Sequence, residues 1–240
     1  TAPVISNTVG WESLSLLFAV GAVIAFLPLL LIDRLAPSNG STSSPPSVGD
    51  LAAVLRDTTV WQLGSLYFAS LSIFFILSSW MPSYLTTAFD VDIAESGLLL
   101  GIFTFVGIFG RSSGGVISDR IFGRRRRPVV LLSFSTTALL VAALAGLNVP
   151  TAVFIVLVVS GFAVQMSVGV LYAHVRDLVD RSVQGTAVSV FLLIGTCGSL
   201  TAPVVTGFLI EVTPGFMAAF GYAIALAVLA VILAWLAPEA

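Results

Sequence analysis

Residues 128–173 read PVVLLSFSTTALLVAALAGLNVPTAVFIVLVVSGFAVQMSVGVLYA, without a single Asp, Glu, Lys or Arg. A helix needs about 20 apolar residues to cross the hydrocarbon core of a bilayer, so this window is long enough to cross twice. Asn148-Val149-Pro150 lies near its middle and has the chemistry of a turn. The window is therefore two spans, predicted over 128–147 and 151–173. Pro128 and Thr151 stand at helix starts, where a proline or a capping hydroxyl is well tolerated.

The same reading extends outward in both directions. Residues 13–32, 58–89, 182–210 and 212–238 are also free of Asp, Glu, Lys and Arg. Splitting the apolar stretches at Pro, Gly and Asn breaks predicts seven spans, at about 11–32, 60–85, 95–118, 128–147, 151–173, 186–210 and 215–236. Only 9% of the 240 residues are charged, against roughly 25% for a globular domain. The fold class is all-α, a polytopic membrane helix bundle. A soluble enzyme, a nucleic-acid binder and a transmembrane barrel, whose strands alternate polar with apolar residues, are excluded. One Cys (Cys197) and one His (His174) supply neither a disulfide nor a thiolate metal site, and no cofactor or metal is expected.

The gaps set the orientation. Arg34 and Arg56 fall in gap 33–59, Arg120, Arg124, Arg125, Arg126 and Arg127 in gap 119–127, and Arg176 and Arg181 in gap 174–185. The alternate gaps 86–94, 148–150 and 211–214 hold no Arg. The positive-inside rule places the Arg-bearing gaps in the cytoplasm, so Thr1 is expected outside and Ala240 inside, in a multi-pass plasma-membrane protein. Residues 37–47, rich in Ser and Pro, have the composition of a flexible linker, and residues 50–56 read as a short interfacial helix.

The chain also repeats itself. Thr1-Ala2-Pro3-Val4-Ile5 recurs as Thr201-Ala202-Pro203-Val204-Val205, and Gly10-Trp11 as Gly215-Phe216. The spans that follow end in Leu-Ala-Pro at 35–37 and 236–238. Matches in order at the same point of the hydropathy pattern mark a parallel repeat about an axis along the membrane normal. The expected organisation is 1–32 as the end of one half, 33–59 as a cytoplasmic linker, and 60–240 as a complete six-helix half. The opening Thr1-Ala2-Pro3-Val4 reads as the interior of a longer chain, and the missing N-terminal half is an expected partner beside the lipid bilayer and a small-molecule substrate.

Gly110-Arg111-Ser112-Ser113-Gly114-Gly115-Val116-Ile117-Ser118-Asp119-Arg120-Ile121-Phe122-Gly123-Arg124-Arg125-Arg126-Arg127 resembles the cytoplasmic signature of the major facilitator superfamily, Gly-x-x-x-Asp-Arg-x-Gly-Arg-Arg. Gly115, Asp119, Arg120, Gly123, Arg124 and Arg125 match by type. Two residues, Ile121 and Phe122, separate Arg120 from Gly123 where the family usually has one. Asp180-Arg181-Ser182-Val183-Gln184-Gly185-Thr186-Ala187 looks like the loop before the family's eleventh helix. Trp80-Met81-Pro82-Ser83-Tyr84-Leu85 looks like the outer end of its seventh. The resemblance covers essentially the whole chain and implies secondary active transport of a small solute by alternating access, with no enzymatic activity. Read physically, Gly114, Gly115 and Gly123 suit close approach or tight turning. Asp119 is a fixed charge able to meet a helix N-terminus or an Arg.

Two other readings compete. Seven spans with the N-terminus outside is also the plan of a heptahelical receptor, and Asp119-Arg120-Ile121 closes the third span as in those receptors. The extracellular Cys pair and an Asn-Pro-x-x-Tyr in the last span are absent, and no Lys exists to hold retinal. Gly110-Arg111-Ser112-Ser113-Gly114 matches a serine-hydrolase elbow, but that motif requires a strand–turn–helix. No Gly-x-x-x-x-Gly-Lys phosphate loop is present for a motor-driven pump.

Polar groups at membrane depth are the substrate-pathway candidates, because each needs a partner or a wet cavity. Gln165, flanked one turn either way by Gly161 and Gly169, is the first. Tyr67, Ser70, Thr104 and Thr196 follow, with Ser167 and Cys197 beside them. Arg111 is the one charge well inside a span, and three readings apply: snorkelling to Asp119 or lipid, a gate pair with Asp177 or Asp180, or attraction of an anionic substrate. Gly115, Asp119, Arg120, Gly123, Arg124, Arg125, Asp180 and Arg181 are the expected gating elements. No carboxylate lies at mid-depth.

Overall fold

The computed structural model describes residues 11–35, 47–213 and 215–239. The chain divides into two units, residues 1–45 and 46–240. The first unit contains α1 (Trp11–Leu35), which carries Pro28 in its interior and Glu12 in its first turn. Thr1–Gly10, Ala36 and Pro37, which carry the first copy of the sequence repeat, lie outside the described residues.

The second unit begins with α2 (Val48–Arg56). Ser47 caps it: its hydroxyl accepts from the Asp50 amide at 3.1 Å, and the Asp50 carboxylate accepts from the Ser47 amide at 2.8 Å. Each side chain satisfies an N–H that the helix cannot. The backbone and side-chain hydrogen bonds from Ser47 hold the Asp50 carboxyl below its ordinary range. Six long helices follow: α3 (Thr58–Phe89), α4 (Ile93–Arg120), α5 (Arg127–Leu144), α6 (Pro150–Leu178), α7 (Gln184–Val212) and α8 (Met217–Leu236). All six are long and apolar enough to cross a membrane. In α1 the stretch Ser15–Pro28 is apolar. Six of the seven expected spans thus correspond to α3–α8; the first, 11–32, falls on α1, whose apolar stretch among the described residues is shorter than a span. At 1.5 Å per residue the 32-residue α3 is about 48 Å long. That exceeds a ~30 Å hydrocarbon core, so its ends project into the interfaces.

Helix starts follow local chemistry. Asp57 and Asp92 cap α3 and α4 by accepting from Thr59 and Ala94 amides at 2.8 and 2.9 Å. Pro128 and Pro150 stand in the first turns of α5 and α6, where the absent N–H leaves no bond unmade.

α3 and α6 cross at the centre of the unit and are its most buried helices. The remaining helices pack by exchange. α4 lies mainly on α6, and α7 mainly on α3; α5 packs on α6 and α8 on α3, and α5 touches α8. Swapping α3–α5 with α6–α8 leaves this pattern unchanged. Since α6 is the third span after α3, an odd step, the two triplets run through the membrane in opposite senses. The core they enclose is aliphatic and alanine-rich, with Phe103, Phe134 and Phe191 as its largest fully buried side chains.

Glycines let the exchanged pairs meet. A methyl added at Gly110 or Gly114 of α4 would strike the carbonyl oxygens of Phe162 or Met166 on α6. One added at Gly169 of α6 would strike the Arg111 carbonyl oxygen on α4. Ser112 donates to the Ile108 carbonyl at 3.2 Å within the helix. The hydrolase-like spacing of Gly110, Ser112 and Gly114 is thus a packing surface, of the small-residue kind that joins membrane helices.

Candidate functional site

Two groups of polar side chains stand out. The first lies at depth between α3, α4 and α6. Tyr67 is 4% exposed and sits between the rings of Phe191, stacked at 4.5 Å, and Tyr172, edge-on at 5.4 Å. The two tyrosine hydroxyls are 3.4 Å apart. Gly195 of α7 lies under the Tyr67 ring, where a side chain would collide. Arg111 of α4 is exposed and within electrostatic reach of the Tyr67 phenol. It makes no ion pair among the described residues.

The other mid-depth candidates separate by their partners. Ser70 is fully buried; its hydroxyl meets that of Ser167 at 2.8 Å and joins α3 to α6. Thr104 and Thr196 are exposed, with hydroxyls bonded back to Leu100 and Leu192 carbonyls at 3.0 and 2.8 Å. Gln165 is half-buried against Gly107 of α4, and its Oε1 is buried with no partner. Gly161 leaves room for the Phe103 ring, and Gly169 for the α4 backbone. The glycine stripe around Gln165 is therefore a helix contact.

The second group lies at the Arg-rich end of the bundle and centres on a residue the sequence did not single out. Arg126 is 5% exposed although its neighbours Arg124 and Arg125 are exposed. Its Nη1 donates to Asp119 Oδ1 at 2.6 Å and to Ser118 Oγ at 3.1 Å, and its Nε donates to Asp177 Oδ2 at 3.1 Å. One guanidinium so binds the end of α4 to the end of α6. The fork geometry of Arg serves this bridging role in a way a Lys ammonium cannot. Of the three readings of Arg111, its pairing with Asp119, Asp177 or Asp180 is not formed among the described residues; Arg126 is paired with Asp119 and Asp177 instead.

The loop makes this burial possible. After Arg120 the chain turns through Gly123 (φ 59°) and Arg124 (φ 72°), both left-handed. The Phe122 amide reaches the Ile117 carbonyl at 3.3 Å, and the Arg124 amide reaches the Ser118 carbonyl at 2.8 Å. This wide turn absorbs the extra residue between Arg120 and Gly123. Gly123 serves the turn, while Gly115 has open space where a side chain would go. Arg120 is exposed. Asp180 and Arg181 are exposed in the turn before α7, where the Asp180 carbonyl accepts from the Val183 amide at 3.1 Å. Arg181, Arg176, Asp177 and Gln184 line a cleft of about 580 Å³ there.

The aromatic residues at the other end of α3 are tied inward as well. Trp80 Nε1 donates to the Pro203 carbonyl at 3.3 Å. Tyr84 packs edge-on against Phe89, Phe216 and Phe220.

A six-helix unit of two exchanged triplets, with an Arg-bridged loop at one end, is a membrane helix bundle built from a repeated three-helix element. The chain belongs to the Major Facilitator Superfamily: the family model matches residues 1–147 and 122–240. Triplets of inverted topology nested within each half are a known property of that family. Among curated relatives, the chain is 28% identical to a hexuronate transporter of Bacillus subtilis, covering 81% of this chain and 48% of that protein. It is 25% identical to a probable nitrate transporter of Staphylococcus carnosus, covering 98% and 58%. Among solved structures, a bacterial homologue of the iron transporter ferroportin superposes with TM-score 0.69 at 19% identity, covering 98% of this chain and 58% of that one. The chain spans about half the length of the curated relatives it matches.

Proposed function

We propose that this chain is part of a secondary transporter that carries small anions, carboxylates or oxyanions, by alternating access. Arg111 carries the reading. It is the one cation well inside a span, it has no carboxylate partner among the described residues, and it lies within electrostatic reach of the Tyr67 hydroxyl. A cation at membrane depth without a counter-ion is held at a considerable free-energy cost unless a wet cavity or an anion receives it. Relatives named for hexuronate, nitrate and nitrite support an anionic solute. In this reading residues 1–32 end one half, 33–59 link the halves, and 60–240 form the second half. The Arg-bearing loops face the cytoplasm, and the missing half completes the cavity. Tyr67 presents its hydroxyl to the solute path, Gln165 steadies that wall by packing α6 on α4, and Thr104 and Thr196 face the opposite half.

The test is uptake of labelled nitrate, nitrite and glucuronate by the full-length protein in proteoliposomes. Arg111→Gln should weaken apparent affinity about 10- to 100-fold, the scale of a lost charge-assisted hydrogen bond of about 1.5–3 kcal/mol, and Arg111→Lys less. Unchanged affinity in Arg111→Gln would remove the anion site from α4.

Asp119 acts in gating on this reading. Its carboxylate is half-exposed even while paired with Arg126, leaving one side free for a helix N-terminus of the opposite half. Asp119→Asn should shift the inward/outward populations by a few-fold up to roughly thirtyfold, since such contacts are worth about 0.3–2 kcal/mol. Affinity within each state should stay the same. Cysteine accessibility across the cytoplasmic cleft reads the shift, and an unchanged pattern would reduce Asp119 to a loop cap.

A further inference from the structure

The last turn of α8 and the residues just after it are held by three side chains from three other helices, each on a backbone carbonyl. Gln62 of α3 donates to the Leu233 carbonyl at 3.2 Å. Arg127 of α5 donates to the Trp235 carbonyl and lies 5.9 Å over the indole ring. His174 of α6 contacts the Pro238 carbonyl through Nε2 at 3.0 Å. The final carbonyls of a helix have no partner within it, so these contacts dock the end of α8 and the residues after it.

His174 differs from the other two because it titrates. It is the only histidine in the chain and is 1% exposed. A carbonyl only accepts, so Nε2 bears the hydrogen and Nδ1 is a bare acceptor in the neutral ring. Nδ1 is buried and has no partner. The charged groups around the ring are Asp177 on its own helix, Arg126 and Arg127 at the start of α5, and Glu239 after α8. From α3 the ring meets apolar Leu66, and from α8 Ala234, with Ala237 just beyond it.

We propose that His174 is a proton-binding site at the Arg-rich end of the bundle, and that proton uptake at Nδ1 releases residues 236–239 from their docked position. A proton there makes a buried cation and a donor with nothing to accept from it. Asp177 is engaged by Arg126, the two arginines repel the new charge, and Glu239 is exposed. Burying a cation that lacks its own partner costs more than half-exposed carboxylates return. The proton therefore binds better to a ring freed from the pocket, and by linkage each proton bound favours the free state. The inference does not depend on which solute is carried.

The experiment uses the full-length protein in liposomes, with Cys197 replaced by Ser and a nitroxide label on a cysteine at Leu236, which is 60% exposed and tolerates the probe. The mobile fraction of the spectrum should rise several-fold between about pH 7.5 and about pH 5.5, the window an imidazole covers. His174→Gln keeps an amide donor for Pro238 but has no titrating group, so its spectrum should be flat across that window. A wild-type spectrum independent of pH, or a full response surviving in His174→Gln, overturns the proposal. Glu239→Gln leaves the ring untouched and removes a carboxylate that steadies a docked imidazolium. Its mobile fraction at about pH 5.5 should exceed the wild type's, and a smaller one overturns the proposal even if His174→Gln does not fold.

Discussion

The pairs α4–α6 and α3–α7 occupy equivalent places in the two triplets, yet they close by different means. In α4–α6 the glycines Gly110, Gly114 and Gly169 each face a carbonyl oxygen of the other helix, so backbone lies on backbone there, while Gly107 and Gly161 receive the Gln165 and Phe103 side chains. In α3–α7 only Gly198 does so, against the Phe68 carbonyl. There Gly195 receives the Tyr67 ring, and a methyl added at Gly207 would come to 2.9 Å from the Trp80 indole and one at Gly64 to 2.7 Å from the Ile194 side chain. The difference matters because a carbonyl in a helix cannot retreat without moving the helix, whereas a side chain can turn. α4–α6 is the fixed seam of the unit and α3–α7 the adjustable one.

That comparison orders the cost of adding one methyl. Gly169→Ala should destabilise the most, by about 3 kcal/mol or more, above the usual overpacking range because the obstacle is backbone. Gly195→Ala should cost about 1–3 kcal/mol, since Tyr67 is wedged between Phe191 and Tyr172 but is still a side chain. Gly207→Ala should cost less than about 1.5 kcal/mol, because Trp80 is only half-buried and has room to swing. Reversible unfolding in detergent micelles gives the ranking. A costlier change at Gly195 than at Gly169 would break the distinction between fixed and adjustable seams. The Gly169 variant has a second expected effect: it displaces the Arg111 backbone, so surviving protein should also lose anion affinity, and Gly207→Ala should not.

The smallest effect sharpens the role of the adjustable seam. Tyr67→Phe removes a hydroxyl 3.4 Å from that of Tyr172 and leaves the stacking on Phe191 in place. Stability should change by less than about 1 kcal/mol. Solute affinity should fall by a few-fold if the hydroxyl pair faces the path, and titration of uptake against concentration distinguishes that from no change.

The helices were legible in the sequence because charge-free windows of span length have few other physical explanations. Which helix pairs with which was not. Gly110, Gly114 and Gly169 show as a small-residue pattern, but nothing in a linear pattern says that α4 bypasses α5 to meet α6. Gly161 and Gly169 around Gln165 read equally as a cavity wall or a helix contact, and only the position of Phe103 and Arg111 decides between them. Arg126 was hidden for a related reason. Four consecutive arginines look alike, and the one that turns inward is selected by the two left-handed residues Gly123 and Arg124. Asp119 was found because an acid is conspicuous in a basic loop, but its partner had to be seen.

The exchanged pairing also imposes a timetable on biosynthesis. Gly110 and Gly114 leave the ribosome almost 60 residues ahead of Gly169. At roughly 5–20 residues per second, α4 waits some 3–12 s in the bilayer with its glycine stripe bare. α5 arrives during that interval and is not the partner. Throughout it the stripe lies open to lipid and to any other small-faced helix, so the fixed seam of the finished unit is the exposed surface of the nascent one.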